Sequence, residues 1–140
     1  MEADTFVKIA NDLGIRWFCL TDGDATGAKT RTSRLPHFGG QPEAECLAVL
    51  SQPTIEHLLC EGGLGAVYEK RISSQKTTTG LTARKGDPDY WTQVLDCIPK
   101  EASKEDMAIE AMALMRRYGP SSIPADLKNV IDRTVAQAAT

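Results

Sequence analysis

The chain has 140 residues, 41% hydrophobic and 25% charged, with 16 basic and 19 acidic side chains and a formal net charge of -3. This is the composition of an ordinary globular domain, long enough to bury a core and neither fibrous nor disordered throughout. The acidic balance excludes a global attraction to nucleic acid, so any contact with DNA has to come from a local patch.

No apolar stretch approaches the ~20 residues of a membrane span, and the first residues lack the basic and apolar regions of a signal peptide. A cytoplasmic protein with no membrane partner is expected. The cysteines, Cys19, Cys46, Cys60 and Cys97, form no C-x-x-C pair. Neither a zinc site nor a disulfide framework is expected from that spacing.

Phe6, Ile9, Ala10 and Leu13 fall at i, i+3, i+4 and i+7, one face of a helix, and Gly14 comes next, where helices take a left-handed C′ residue. The next run, Ile15-Arg-Trp-Phe-Cys-Leu-Thr21, suits a buried pleated surface and is cut off by Asp22-Gly-Asp24. It reads as a buried strand with Asp22 and Asp24 at its carboxyl end, where open α/β sheets bind ligands. Carboxylates at i and i+2 repel each other unless they share a proton or a cation, and hard oxygen ligands suit Mg²⁺ or Mn²⁺. Divalent-metal phosphate chemistry is the leading expectation.

Residues 28–35 suit the start of a helix, and Pro36, Gly39, Gly40 and Pro42 make the next stretch a loop. Cys46-Leu-Ala-Val-Leu50 reads as a second buried strand, after which Pro53 opens a helix through Leu59 that carries Glu56 and His57. Lys70, Arg71, Lys76, Arg84 and Lys85 come next with no acid between them, set among Ser, Thr and Gly. This basic loop is either a contact to a phosphate backbone or simply solvated. Ser103-Lys-Glu-Asp106 is a capping-box pattern, leading into a helix with Met107, Ala108, Ala111, Met112 and Met115 on one side. The methionines read as core. Gly119-Pro120 stops that helix, and a last one from about Pro124 carries Leu127, Val130, Ile131, Thr134, Val135 and Ala138 at helical spacing. A single domain is expected, with an α/β part over 1–69, a basic loop over 70–88 and helices over 89–140.

Several site types compete for the Asp-Gly-Asp loop. An EF-hand matches at Asp22, Asp24, Thr26 and Gly27, but its twelfth position is Ser33 where a bidentate Glu is needed, and a strand enters it. A P-loop over Gly23 to Thr30 has Gly27 one place early, and two carboxylates would repel the phosphate it cradles. Both fail. The apolar strand followed by Asp22-Gly-Asp-Ala-Thr26 also resembles the first motif of the haloacid dehalogenase superfamily. That resemblance implies a Mg²⁺-dependent phosphatase with Asp22 as nucleophile and Asp24 as acid/base. The later acidic pair such enzymes need is available as Asp87 and Asp89, although the residues before it do not read as a strand.

A broader resemblance covers most of the chain from Phe6 to about Val135. The stretch from Phe6 through Leu13-Gly-Ile-Arg-Trp-Phe-Cys-Leu-Thr-Asp-Gly-Asp-Ala-Thr-Gly27 is similar to the Asp-x-Asp half of the TOPRIM domain of OLD-family ATP-dependent endonucleases. Pro53-Thr-Ile-Glu-His-Leu-Leu59, Val67-Tyr68, Ser103-Lys-Glu-Asp-Met-Ala-Ile-Glu110 and Ile123-Pro-Ala-Asp-Leu127 resemble the same proteins in the same order. The resemblance implies an incomplete TOPRIM-like α/β sheet, Rossmann-like and flanked by helices, with a helical C-terminal portion. It implies two-metal cleavage of DNA, with Asp22, Asp24 and Glu56 as metal-binding acids and Lys104 stabilising charge on the phosphate. TOPRIM domains begin with a strand ending in glutamate, and no such element precedes Phe6, since Glu2 lies too near the start. The expectation is therefore the C-terminal part of a longer nuclease whose ATPase region is supplied in cis or in trans, binding Mg²⁺ or Mn²⁺ weakly by itself. A non-catalytic remnant that pairs into a homodimer through an open sheet edge is the alternative.

Overall fold

The first helix, α1 (Ala3–Asp12), closes through two backbone hydrogen bonds in the computed structural model, which describes residues 3–72 and 80–138. Gly14, at φ +65°, donates its N–H to the Asn11 carbonyl (3.1 Å) and Ile15 donates to Ala10 (2.8 Å). This left-handed stop is the one the sequence implies at Gly14. The face is different from expectation. Val7 is buried, whereas Phe6 (59%), Ile9 (45%) and Leu13 (67%) are exposed. Periodicity shows that apolar residues share a face, but not that anything covers it.

Strand β1 (Cys19–Thr21) is shorter than the apolar run leading into it: Ile15 is exposed, and the Trp17 ring packs on Phe38 with centroids 5.6 Å apart. Helix α2 (Ala25–Arg34), a 3₁₀ turn at Leu35–His37 and the single-turn helix α3 (Glu43–Cys46) carry the chain to β2 (Leu47–Val49). The two strands pair in parallel, with Cys19 opposite Leu47, Leu20 opposite Ala48 and Thr21 opposite Val49. A parallel pair needs a crossover of this kind, and the chain is accordingly mixed α/β.

The described chain divides into two units, the first comprising Met1–Thr54 with Ala125–Thr140 and the second Ile55–Pro124. Phe38, Cys46 and Leu47 form the core of the first, with Trp17 and Cys19 packed against them. The second unit begins with α4 (Ile55–Leu59), which runs into a π turn at Cys60–Leu64, then α5 (Ala66–Glu69), α6 (Tyr90–Asp96) and α7 (Lys104–Tyr118). Leu58, Leu59, Leu64, Val67, Tyr68, Val94, Met107 and Ala111 are all buried there. Ser103 caps α7 as its pattern implies, its Oγ accepting the Asp106 N–H at 3.1 Å, and Gly119 at φ +86° ends it. Met107 is core, but Met112 is 48% exposed.

The last helix, α8 (Ala125–Ala138), returns to the first unit and is held there by polar contacts. The Asp126 carboxylate accepts the Ser51 N–H (2.7 Å), Arg133 donates to the Ala44 carbonyl (3.1 Å) and Gln137 to that of Glu45 (2.5 Å). Ile131 and Val135, part of its expected apolar stripe, are exposed instead. Among the described residues no helix is long and apolar enough to cross a membrane.

Candidate metal-binding strand tip

The carboxyl end of β1 is tied to the exit of β2 by backbone hydrogen bonds. The Thr21 carbonyl accepts the Leu50 N–H (2.9 Å), and the Gly23 N–H reaches the Gln52 carbonyl (3.2 Å). Two glycines make this closeness possible. A Cβ on Gly23 would lie 2.5 Å from the Gln52 oxygen and 2.6 Å from that of Leu50. A Cβ on Gly27 would run into the Asp22 carbonyl oxygen and lie 2.6 Å from its carbon. The first turn of α2 therefore sits directly on the Asp22 backbone, and any larger residue would push the two apart.

Asp22 and Asp24 are both half-buried at this tip. Asp24 is the N-cap of α2: its backbone is extended (φ -97°, ψ -175°) and its Oδ1 accepts the Gly27 N–H at 2.7 Å. This is the usual employment of an aspartate before a helix, and it engages one of its two carboxylate oxygens. Below the tip, buried Arg34 donates to the Cys19 sulfur, and Arg31 pairs with Glu43.

Glu56 and Lys104 belong to the second unit, where they are each other's partners. Lys104 Nζ lies 3.0 Å from Glu56 Oε1, with the lysine side chain 82% exposed and the glutamate 18%. Lys104 opens α7, an end where a cation meets the positive pole of the helix and an acid is the ordinary choice. The Glu56 carboxylate offsets that repulsion, so a structural role is open to both residues. Neighbouring His57 meets Thr92 through Nε2 at 3.2 Å. Among the described residues no group of three His, Cys, Asp or Glu side chains is placed to hold a metal ion.

The stretch expected to form a basic loop is partly neutralised within its own unit. Lys70 and Arg71 both pair with Glu110, and Lys85 pairs with Glu69 at 2.8 Å while lying 5.4 Å from the centre of the Trp91 ring. Lys76 lies outside the described residues. Asp87 and Asp89 sit in the turn before α6, where Asp87 accepts the Arg84 N–H (2.7 Å) and Asp89 the Gln93 amide (2.6 Å), rather than at the end of a strand. The four cysteines are free thiols, and burial pushes that of Cys60 up to about 12. The Lys85 ammonium, and then the Tyr90 hydroxyl, hold the Glu69 carboxyl below its ordinary range.

Sequence reasoning passed over the steric role of Gly23 and Gly27, although a glycine three residues after an N-cap aspartate is a visible signal. It also places Trp17 in a buried strand, whereas the ring is half-exposed beside a cleft that Asn11, Arg16 and Gln41 also line.

No family model and no solved structure matches the chain. Over 131 residues, 92% of its length, it is 28% identical to the uncharacterized protein YbjD of Escherichia coli (strain K12). Those residues make up 22% of that protein, so the chain spans about a fifth of the relative it matches.

Proposed function

We propose that this chain is one part of a divalent-metal-dependent DNA endonuclease of the TOPRIM type, with Asp22 and Asp24 as its metal-binding acids. The observation that carries the reading is the placement of both aspartates where a parallel strand ends, the position from which α/β sheets present ligand-binding groups. The fit of the donors is partial. Both oxygens of Asp22 and the second of Asp24 are hard ligands of the type Mg²⁺ and Mn²⁺ take, and an ion held by so few carboxylates keeps most of its water. When bound, such an ion activates water or stabilises the leaving oxygen of a phosphodiester. The chain's own contribution is positioning: Gly23 and Gly27 bring β1, the exit of β2 and α2 together, and the cap on Gly27 fixes the Asp24 carboxylate. On this reading the activity of the whole enzyme draws on chain beyond this one.

A calorimetric Mn²⁺ titration of the chain beside its Asp22→Ala, Asp24→Ala variant tests the proposal. Saturable heat in the parent and none in the variant is the expected result, and identical heats would remove its basis. Turnover of a small phosphomonoester, lost in Asp22→Asn, would instead favour the phosphatase reading with Asp22 as nucleophile.

The exposed apolar side chains of Phe6, Ile9, Leu13 and Ile15 favour a second reading, a non-catalytic piece that self-associates. Its mass in solution would then rise with concentration, whereas a constant monomer mass counts against it.

A further inference from the structure

We infer that the first unit contains a binding site for a single nucleobase, in the cleft between the exit of α1 and the loop after the 3₁₀ turn. The cleft has a volume of about 210 Å³ and is lined by Asn11, Arg16, Trp17, Phe38, Gln41 and Cys46, among others. Two aromatic rings, Trp17 and Phe38, are among the lining residues, and the indole is held in place by its neighbours. The Trp17 indole N–H donates to Asn11 Oδ1 at 2.8 Å, and the Asn11 amide donates onward to the His37 carbonyl at 2.9 Å. Phe38 backs the ring at 46°. A ring fixed in this way loses little further freedom when another stacks on it, which is the condition that favours aromatic platforms for bases.

The polar groups are those a base edge needs. Gln41 Oε1 accepts from the Cys46 thiol (3.4 Å), which leaves the Gln41 NH₂ group as a donor toward a ring nitrogen or a carbonyl. Arg16 brings a guanidinium to the rim, anchored through Nη1 on the Gln137 carbonyl (3.1 Å), while Glu45 lines a separate cleft that shares Arg16, Trp17 and Gln41. Arg16 is the single charged side chain among the described residues that line the cleft, so phosphate attraction rests on one cation and stacking should carry most of the binding. The volume is below the roughly 300–1,000 Å³ of sites for drug-sized molecules and suits one ring system. The choice of a base over another planar ring rests on the nuclease reading, although the cleft uses neither Asp22 nor Asp24.

The base has two possible sources, a single-stranded segment of DNA or a free nucleotide. With tryptophan labelled by ¹⁵N, the indole N–H of Trp17 reports on the first unit and that of Trp91 on the second, assigned with a Trp91→Phe variant. In EDTA, titration with oligothymidylate should shift the Trp17 signal in a saturable way and leave that of Trp91 unmoved. Tighter binding of the oligonucleotide than of thymidine monophosphate assigns the base to a strand, while equal affinity assigns it to a free nucleotide. Gln41→Ala should weaken binding about fivefold, as expected for one lost hydrogen bond. Because the titration is made in EDTA and requires no metal, failure of the Mn²⁺ titration leaves this result standing. A Trp17 signal that stays put at millimolar ligand, or an affinity unchanged in Gln41→Ala, overturns the inference.

Discussion

Replacing Gly27 by alanine distinguishes the packed strand tip from an isolated helix by the sign of the effect. In an exposed helix the change adds about 1 kcal/mol of stability, because alanine restricts the unfolded chain and suits the helix better. Here the new Cβ meets the carbonyl group of Asp22, which is backbone and cannot rotate away, on a strand end pinned to Leu50 and Gln52. Overpacking costs roughly 1–3 kcal/mol, and a backbone neighbour in a pinned segment puts this case at or above the upper end of that range. The difference is a net loss of about 2 kcal/mol. For a chain of this size that lowers the melting temperature by about 6 °C. Thermal unfolding followed by circular dichroism measures it, with Ala28→Gly, at an exposed position on the same helix, as the comparison. That control should lose about 1 kcal/mol through helix propensity alone. If Gly27→Ala melted at or above the parent, the close seat of α2 on the Asp22 backbone, and the geometry of the proposed metal site with it, would be refuted.

Asp24 should separate its two roles by substitution. Asp24→Ala loses the N-cap and about 1 kcal/mol, while Asp24→Asn caps equally well, melts like the parent, and still weakens Mn²⁺ binding in calorimetry. A Mn²⁺ affinity unchanged in Asp24→Asn would leave this residue as a cap and nothing more. In the second unit, the Glu69 carboxyl is held below its ordinary 4.5 by Lys85 and Tyr90. Its contribution is therefore present above about pH 4.5 and lost as the pH falls through the lowered value. Glu69→Gln should be less stable than the parent by about 1 kcal/mol at pH 7, since Lys85 is largely exposed, with the gap closing under acid. Denaturant unfolding at pH 7 and pH 3 checks this, and a gap of equal size at both would show that the ion pair contributes nothing.

Much of the local architecture was legible because it depends on neighbours in the chain. Gly14 and Gly119 end helices where φ has to turn positive, Ser103 caps the helix that its pattern announces, and both short strands fall inside their apolar runs. The Asp pair at a strand tip could be read from the abrupt change of residue type after Thr21. Burial was less legible. Phe6, Ile9, Leu13, Ile131 and Val135 lie on well-formed helical stripes yet remain exposed, since a period records a shared face and not a covering surface. The stretch from Lys70 to Lys85 looked unbalanced in charge because the acid that answers Lys70 and Arg71, Glu110, comes from another helix.

The order of residues alone settled that two carboxylates come directly after an apolar strand, since Asp-Gly-Asp cannot continue a pleated, buried surface. It settled the helix stops and the Ser103 cap for a similar reason: a turn or cap is satisfied by groups within five residues. Folding in three dimensions decided what each of those groups then meets. Only there does the end of the first strand meet Leu50 and Gln52, does Glu56 find Lys104, and does Phe38 back the Trp17 ring beside a cleft. These contacts join residues that the chain order does not pair, and which of the many possible partners meet is set by packing.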